Sequence, residues 1–358
     1  MMRLGIIGGG MYGSRLTKIF KDADTAGQVE FRAVCDLNKS VLDKLTAEHG
    51  LKGYTDYKEM IEKERLGAVA VVTPDHLHEE IAVYAANKRL HMLVQKPVDT
   101  TSAGAQRIVG AAEDNGVLLY VDFHKRFDPG FVLARKQYMD GVYGELLYGY
   151  LNIEDTLHIP AEAFKRWAHL SSPAWFLGIH VVDVLNWVLG MAPVKVSTVG
   201  LKKKLLGMGI DTYDALSSRL IYENGACITI DAAWVLPKAF PSGVNQNVRL
   251  VGTDGFIEID GQDRGVQFWH DKASGPMHAY VNNPYGFLES YNHFTDSGLS
   301  GYTVDSVLYF IKLLRKIDGG ASAASLAGAY PTGAEAALAT RIVEAMHESA
   351  ASGETVDI

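Results

Sequence analysis

Along residues 1–120, short apolar runs alternate with segments of helical spacing. The runs Leu4–Ile7, Val29–Cys35, Ala68–Thr73, Leu90–Val94 and Val117–Val121 predict strands, and four of them are apolar almost throughout, the pattern of strands covered on both faces. Between them, Tyr12–Phe20 and Leu77–Ala86 carry apolar residues at helical intervals, with Leu16, Ile19 and Phe20 on one face. Strand–helix alternation of this kind predicts an α/β fold whose N-terminal part is a doubly wound parallel sheet.

After about residue 125 the rhythm changes. Gly144–Ile153 reads as a strand and Gly178–Leu189 as an amphipathic helix. Strands follow at Val194–Val199, Asp214–Tyr222, Ala226–Trp234, Asn247–Gly252, Phe256–Ile259 and Val266–Trp269. Glu223-Asn224-Gly225 and Thr253-Asp254-Gly255 read as hairpin turns, each with its glycine at positive φ. The pattern predicts an open, largely antiparallel mixed sheet with helices on one face and another subunit on the other. Helices return at Leu288–Asp296, Val304–Lys316 and Gly333–Ala350, while Glu154–Pro173 and Asp271–Gly286 read as long loops and Ala321–Ala329 as a flexible connector. Two domains are expected, 1–123 for dinucleotide binding and 124–358 for substrate binding and oligomerisation, the final helix packing back on the first.

Composition narrows the function classes. At 358 residues the chain exceeds what one core holds, and 47% hydrophobic with 21% charged residues is ordinary for a globular protein. A net charge of −8 argues against a nucleic-acid partner, and Lys202-Lys203-Lys204 reads as a solvated strand edge. The two cysteines, Cys35 and Cys227, lie in apolar strand-like runs and read as buried core thiols, with no zinc spacing. There is no run of 18 apolar residues and the apolar start is too short for a signal peptide, so the expectation is a cytoplasmic protein without a membrane span.

The chemistry begins at Gly8-Gly9-Gly10-Met11-Tyr12-Gly13, a G-x-G-x-x-G that follows a predicted strand and opens a predicted helix. Gly8 permits the tight turn, Gly10 lets backbone approach a pyrophosphate, and Gly13 allows close helix–strand packing, while the helix N-terminus offers free N–H groups. Asp36 ends the next strand, placed to bond the ribose hydroxyls of NAD and to repel the 2′-phosphate of NADP, although nearby Lys39 keeps NADP in play. The bland alternative for Asp36 is a helix N-cap. The third strand ends in Thr73-Pro74-Asp75-His76-Leu77-His78, where one histidine contacting a cofactor is a better reading than a metal pair, no third ligand being in evidence.

With Gln95-Lys96-Pro97 the chain resembles the Gfo/Idh/MocA oxidoreductases, which include glucose–fructose oxidoreductase and inositol dehydrogenase. The ordered pieces are Gly8–Gly13, Asp36, Thr73-Pro74 with His78, Lys96-Pro97, Arg126-Phe127-Asp128-Pro129, Gly178-Ile179-His180 with Asp183, and Ser349–Val356. The resemblance implies a Rossmann domain followed by an open-sheet α/β domain. It also implies NAD(P) held with the help of Met11, Tyr12 and Gln95, and hydride exchange with a secondary alcohol of a sugar or cyclitol. Lys96 and His180 then share the proton work. It further implies a homodimer or homotetramer through the late sheet. Two departures stand out. Gln95 replaces the glutamate of Glu-Lys-Pro, and Phe176 stands where many relatives carry an aspartate one turn before the histidine. Asp183 either orients the imidazole or packs the helix. Arg166, Trp167, Trp175 and Tyr285, with Tyr280, Asn282 and Asn283, are candidate substrate contacts, aromatic faces and amides suiting a polyol, though each also serves as loop packing. Two alternatives compete: a non-catalytic NAD(P)-binding sensor, and a dehydrogenase of a non-carbohydrate diol.

Overall fold

The apolar runs near the N-terminus become parallel strands. In the computed structural model, which describes residues 1–240, 243–261, 265–270, 277–279, 288–289 and 299–358, they are β1 (Arg3–Ile7), β2 (Glu30–Cys35), β3 (Lys52–Tyr54), β4 (Ala68–Val71), β5 (His91–Val94) and β6 (Leu119–Val121). The helices between them are α1 (Met11–Thr25), α2 (Lys39–His49), α3 (Tyr57–Glu64), α4 (His78–Asn87) and α5 (Ser102–Asp114). The strand order is β3-β2-β1-β4-β5-β6 and every pair is parallel. Ala68–Val71 and Met92–Val94 are fully buried, as the continuous apolar runs require. The strand order reverses between β1 and β4, and in such sheets ligands bind in the crevice beyond the carboxyl ends of the strands at that point. The short polar edge strand β3 has no apolar run to announce it; Lys52 and Tyr54 reach from it to the buried Glu64 carboxylate.

The later elements are α6 (Pro129–Met139), β7 (Leu146–Thr156), α7 (Ile179–Leu189), β8 (Lys195–Leu201), α8 (Lys204–Gly207), β9 (Ala215–Ile221), β10 (Cys227–Leu236), β11 (Val244–Gly252), β12 (Gly255–Asp260), β13 (Gly265–His270) and β14 (Met277–Ala279). After these come β15 (Leu288–Glu289), β16 (Leu299–Ser300), α9 (Tyr302–Asp318), α10 (Gly333–Ser352) and β17 (Val356–Asp357). Among the described residues nine strands form one sheet, ordered β14-β13-β12-β11-β7-β10-β9-β8-β17, in which only β7 and β10 run parallel. Alternation sets its two faces. Ile153, Ile230, Ala232 and Val248 are buried on one, whereas Tyr148, Tyr150, Val199 and Leu201 are exposed on the other. The described chain divides into two units: Met1–His124 with the described part of 284–337, and Lys125 to residue 283 with Leu338–Ile358.

Several expectations are corrected. Leu288–Glu289 is a strand paired with Leu299–Ser300, not the start of a helix; the rest of that proposed helix lies outside the described residues. The stretch Glu154–Pro173 is not a bare loop: β7 runs on to Thr156, a π-helical turn covers Ile159–Ala163 and a 3-10 turn Ala168–Leu170, elements too short to leave a periodic signature. Ala321–Ala329 likewise holds a 3-10 turn, Ala324–Leu326, pinned by buried Leu326. Gly225 does take φ +84, but Gly255 begins β12 without positive φ, because the two-residue turn is Thr253-Asp254. Cys35 is buried, yet Cys227 is only half-buried: period-two alternation sends Ile228, Ile230 and Ala232 inward and leaves the Cys227 thiol on the open face beside Arg219. The lysine triplet is no strand edge. The N–H groups of Lys203, Lys204 and Leu205 donate to the Asp214 carboxylate, which caps α8.

Candidate functional site

The glycine loop is built by close approach. Gly8 has φ +99, and a Cβ there would lie 2.4 Å from the Val72 carbonyl oxygen. A Cβ on Gly13 would lie 1.9 Å from the Gly8 oxygen, so neither position tolerates a side chain. Gly10 is different: a Cβ there meets nothing within 4 Å, so the bare backbone leaves space that the described protein does not fill. Among the described residues no side chain caps α1, and an uncapped helix start offers its first N–H groups to an anion. Met11 is exposed at that helix start.

Asp36 ends β2 and ties the loop down, its carboxylate accepting from Gly9 N–H and Asn38 N–H, both at 2.7 Å. The N-cap of α2 is Asn38, not Asp36, and a carboxylate with two bonds made keeps further lone pairs for ligand hydroxyls. Beyond β4, Thr73 holds a buried hydroxyl with no partner among the described residues, and Pro74 leads into the short turn Asp75–Leu77. His78 is fully buried; its ring nitrogens meet the Pro97 oxygen at 2.8 Å and the Thr73 oxygen at 2.9 Å, strapping the ends of β4 and β5 together. Lys96 is buried at the end of β5, and its bond to Pro97 is cis. These are the features a dinucleotide needs: room at Gly10, a free helix start, a carboxylate at the second strand end and an unpaired hydroxyl at the fourth. They fit NAD.

Gln95 has a partner that the sequence reading missed. Its Nε2 donates to Asp122 Oδ2 at 2.7 Å, and Tyr12 Oη donates to the same oxygen at 2.8 Å. Ser306 Oγ donates to Oδ1 at 2.6 Å, and His124 Nδ1 stands 3.9 Å from Oδ2. Asp122 is fully buried. Burial pushes its carboxyl up, but His124, Ser306 and Gln95 together hold it below its ordinary value. Tyr12 is driven far above the usual phenol by burial and by Asp122. The acid that Gln95 lacks is thus supplied 27 residues later, and the glycine-loop helix, the Lys96 strand and α9 share it.

In the second unit, a π-helical turn over Ala174–Gly178 runs into α7, and His180, buried, stands in the first turn of that helix. π-turns recur at functional sites. Asp183 takes Arg126 in a two-pronged pair, Nε to Oδ2 at 2.9 Å and Nη2 to Oδ1 at 2.6 Å, both residues buried. Phe176 meets Phe164 edge-on at 4.7 Å, and Phe164 lies against Trp167 at 4.0 Å. Trp175 is buried and stacks on His347 at 5.0 Å, while Ser172 Oγ bonds His347 Nε2 at 2.7 Å. His347 Nδ1 faces the Val343 carbonyl at 2.8 Å, so that nitrogen carries the proton and Nε2 accepts from Ser172. Arg166 is exposed. Tyr285, with Tyr280, Asn282 and Asn283, lies outside the described residues. Among the described residues no three His, Cys, Asp or Glu side chains gather to hold a metal ion, and no helix is long and apolar enough to cross a membrane.

A family model described as oxidoreductase family, NAD-binding Rossmann fold, matches residues 2–123, and the GFO/IDH/MocA C-terminal domain matches residues 131–258. The chain belongs to the GFO/IDH/MocA oxidoreductase family. Among family relatives, it is 28% identical over 193 residues to inositol 2-dehydrogenase of Salmonella paratyphi B, covering 52% of this chain and 54% of that protein. The match thus spans about half the length of that relative. It is 25% identical over 295 residues to myo-inositol 2-dehydrogenase of Thermotoga maritima, covering 81% and 84%. In fold it is similar to a levoglucosan dehydrogenase solved with NADH and levoglucosan, with a TM-score of 0.81 at 20% identity over 100% of this chain and 99% of that one.

Besides Asp122, the sequence reading missed Lys125, Gln246 and His347. Lys125 directly precedes the quoted Arg126–Pro129 run, and Gln246 sits one residue before the strand as read, at an inward register where a polar residue is unexpected. Those were the signals available.

Proposed function

We propose that this protein is an NAD-dependent oxidoreductase that exchanges hydride with a secondary alcohol or ketone of a sugar, sugar derivative or cyclitol. One observation carries the reading: Gly10, Asp36, Thr73 and Lys96 stand beyond the carboxyl ends of β1, β2, β4 and β5 of one parallel sheet. NAD, when bound, supplies the hydride acceptor. The chain's own groups do the rest. The space at Gly10 and the free N–H groups of α1 receive phosphate, and the Asp36 carboxylate bonds ribose hydroxyls and disfavours a 2′-phosphate. Lys96 orients the reacting hydroxyl and His180 takes its proton as a general base. Asp183, through Arg126, and Trp175, through His347, support the helix start that carries His180, and Arg166 and Trp167 are candidate substrate contacts. The names of the inositol and levoglucosan dehydrogenases similar to this chain support the substrate class.

The test is a titration with NADH and NADPH followed by nicotinamide fluorescence, then turnover of NAD with myo-inositol, scyllo-inositol and levoglucosan. NADH is expected to bind more tightly than NADPH. Gly10→Ala should weaken NADH at least tenfold without moving the melting curve, since its Cβ has room in the free protein. Lys96→Ala should lower kcat by about 10²–10⁴. Full turnover by Lys96→Ala would sink the mechanism. A second reading, a sensor that binds the nucleotide without turnover, is favoured by one feature, the aromatic cluster of Phe176, Phe164 and Trp167 at the position of the missing aspartate. Cofactor binding with no turnover of any polyol would favour it. The exposed Tyr148, Tyr150, Val199 and Leu201 on the open sheet face support self-association there, as a homodimer or homotetramer, which sedimentation would read. Two free cysteines suit the reducing cytoplasm.

A further inference from the structure

Gln246 is a buried amide on β11, only 7% exposed, in the inward register it shares with Val248 and Leu250. Its Oε1 accepts from Lys125 Nζ. An ammonium group has donors only, so this contact fixes which end of the amide is oxygen and turns the NH₂ away from the lysine. That Nε2 is buried with no hydrogen-bond partner among the described residues. A donor stripped of water and left unpaired is costly, and such a group in a native fold calls for an explanation, of which an acceptor arriving from outside the chain is one.

Strand register locates it. Gln246 pairs with Ile153 of β7, and Ile153 pairs with Ala232 of β10. Paired residues share a face, so the three form one row across the covered side of the sheet. Over Ala232 lies Gly178, whose added Cβ would stand 3.5 Å from the alanine methyl, and His180 follows two residues later. Two strand spacings, about 10 Å in all, separate Gln246 from Ala232 along the row. A ligand of sugar size spans that distance.

We propose that Gln246, oriented by Lys125, is a specificity residue that donates to a substrate hydroxyl remote from the carbon that reacts. The inference rests on the polyol dehydrogenase reading and sharpens it: the substrate must carry an oxygen acceptor at its far side, which a flat aromatic diol does not offer.

The experiment compares wild type, Gln246→Met and Gln246→Glu in steady-state turnover of NAD with myo-inositol, scyllo-inositol and levoglucosan. NADH fluorescence and melting curves serve as controls, and calorimetry reads polyol binding to the NADH-loaded protein. Met keeps the length and removes the donor; Glu keeps the shape, turns the donor into an acceptor and still receives Lys125. Both variants are expected to raise KM for the best polyol tenfold to a hundredfold, with kcat changed less than threefold and NADH affinity unchanged. If Gln246→Met fails to fold, Gln246→Glu decides. Wild-type KM in a folded variant overturns the role of Gln246 while leaving the dehydrogenase reading intact. Wild-type protein that neither binds nor turns over any of the three polyols overturns both.

Discussion

A carboxylate at residue 95 would stand 2.7 Å from the buried Asp122 oxygen that Gln95 now bonds. Two like charges at that distance out of water cannot both persist, and one must take a proton or move. Gln95→Glu, which restores the family's Glu-Lys-Pro, is therefore expected to cost about 2–4 kcal/mol of stability at pH 7. The loss should shrink as the pH falls and one acid protonates. Gln95→Glu combined with Asp122→Asn returns one acid and one amide and should recover most of it. Urea unfolding of wild type and the two variants at pH 7.5 and 5 checks this; a stable Gln95→Glu single variant would mean that Asp122 is not the compensating charge. From the sequence, Gln95 reads only as a lost charge beside Lys96. Its partner lies on the far side of β6, and nothing in local spacing links the two.

The α7 element is anchored by a fork. Asp183 and Arg126 are both buried, so removing either takes a two-pronged partner from a charge held out of water. Asp183→Ala is expected to cost about 3–5 kcal/mol, and Arg126→Met with Asp183→Leu to cost well under the sum of the single changes. Chemical denaturation of the cycle measures it, and additivity would refute the coupling. At this scale much was legible. Apart from β3, β14 (inside the expected loop Asp271–Gly286) and β17, the strands of both large sheets follow from apolar periodicity, as do helices α1, α4, α7, α9 and α10, with ends shifted by a few residues. The π-helical turn before His180 was not legible, because a single turn leaves no periodic trace. Nor was the edge strand β3, whose three residues are not buried.

Across the whole molecule, pH links stability to two half-buried histidines. Burial lowers the pKa of His347, where a Val343 carbonyl and Glu344 push the other way, and lowers that of His91, whose Nδ1 accepts the Leu118 N–H. With the folded pKa below the unfolded one, the unfolded chain takes up protons first as the pH drops. Stability is expected to hold above about pH 6.5 and to fall below it, with a limiting slope of about 1.4 kcal/mol per pH unit for one such histidine. Denaturant midpoints at pH 7.5, 6.5 and 5.5 should show this, and His347→Gln should flatten the fall; an unchanged slope would assign the effect elsewhere. Chain order misleads at this scale. The described part of 284–337 groups with residues 1–124, so a single cut near 123 does not follow the contacts.

By itself the sequence determined the α/β class, the parallel-then-antiparallel succession and the glycine loop with Asp36, because these rest on local periodicity and on single residues whose steric freedom is intrinsic. Tertiary structure alone decided which acid answers Gln95, which cation answers Asp183, that His347 accepts from Ser172, and that the Gln246 amide is left with a donor to give. Each of these is a pairing between residues 27 to 175 positions apart or an unmet bond, set by strand order, register and burial. Hydrogen bonds and buried charges act over a few ångströms of space, and spacing along the chain carries no record of that distance.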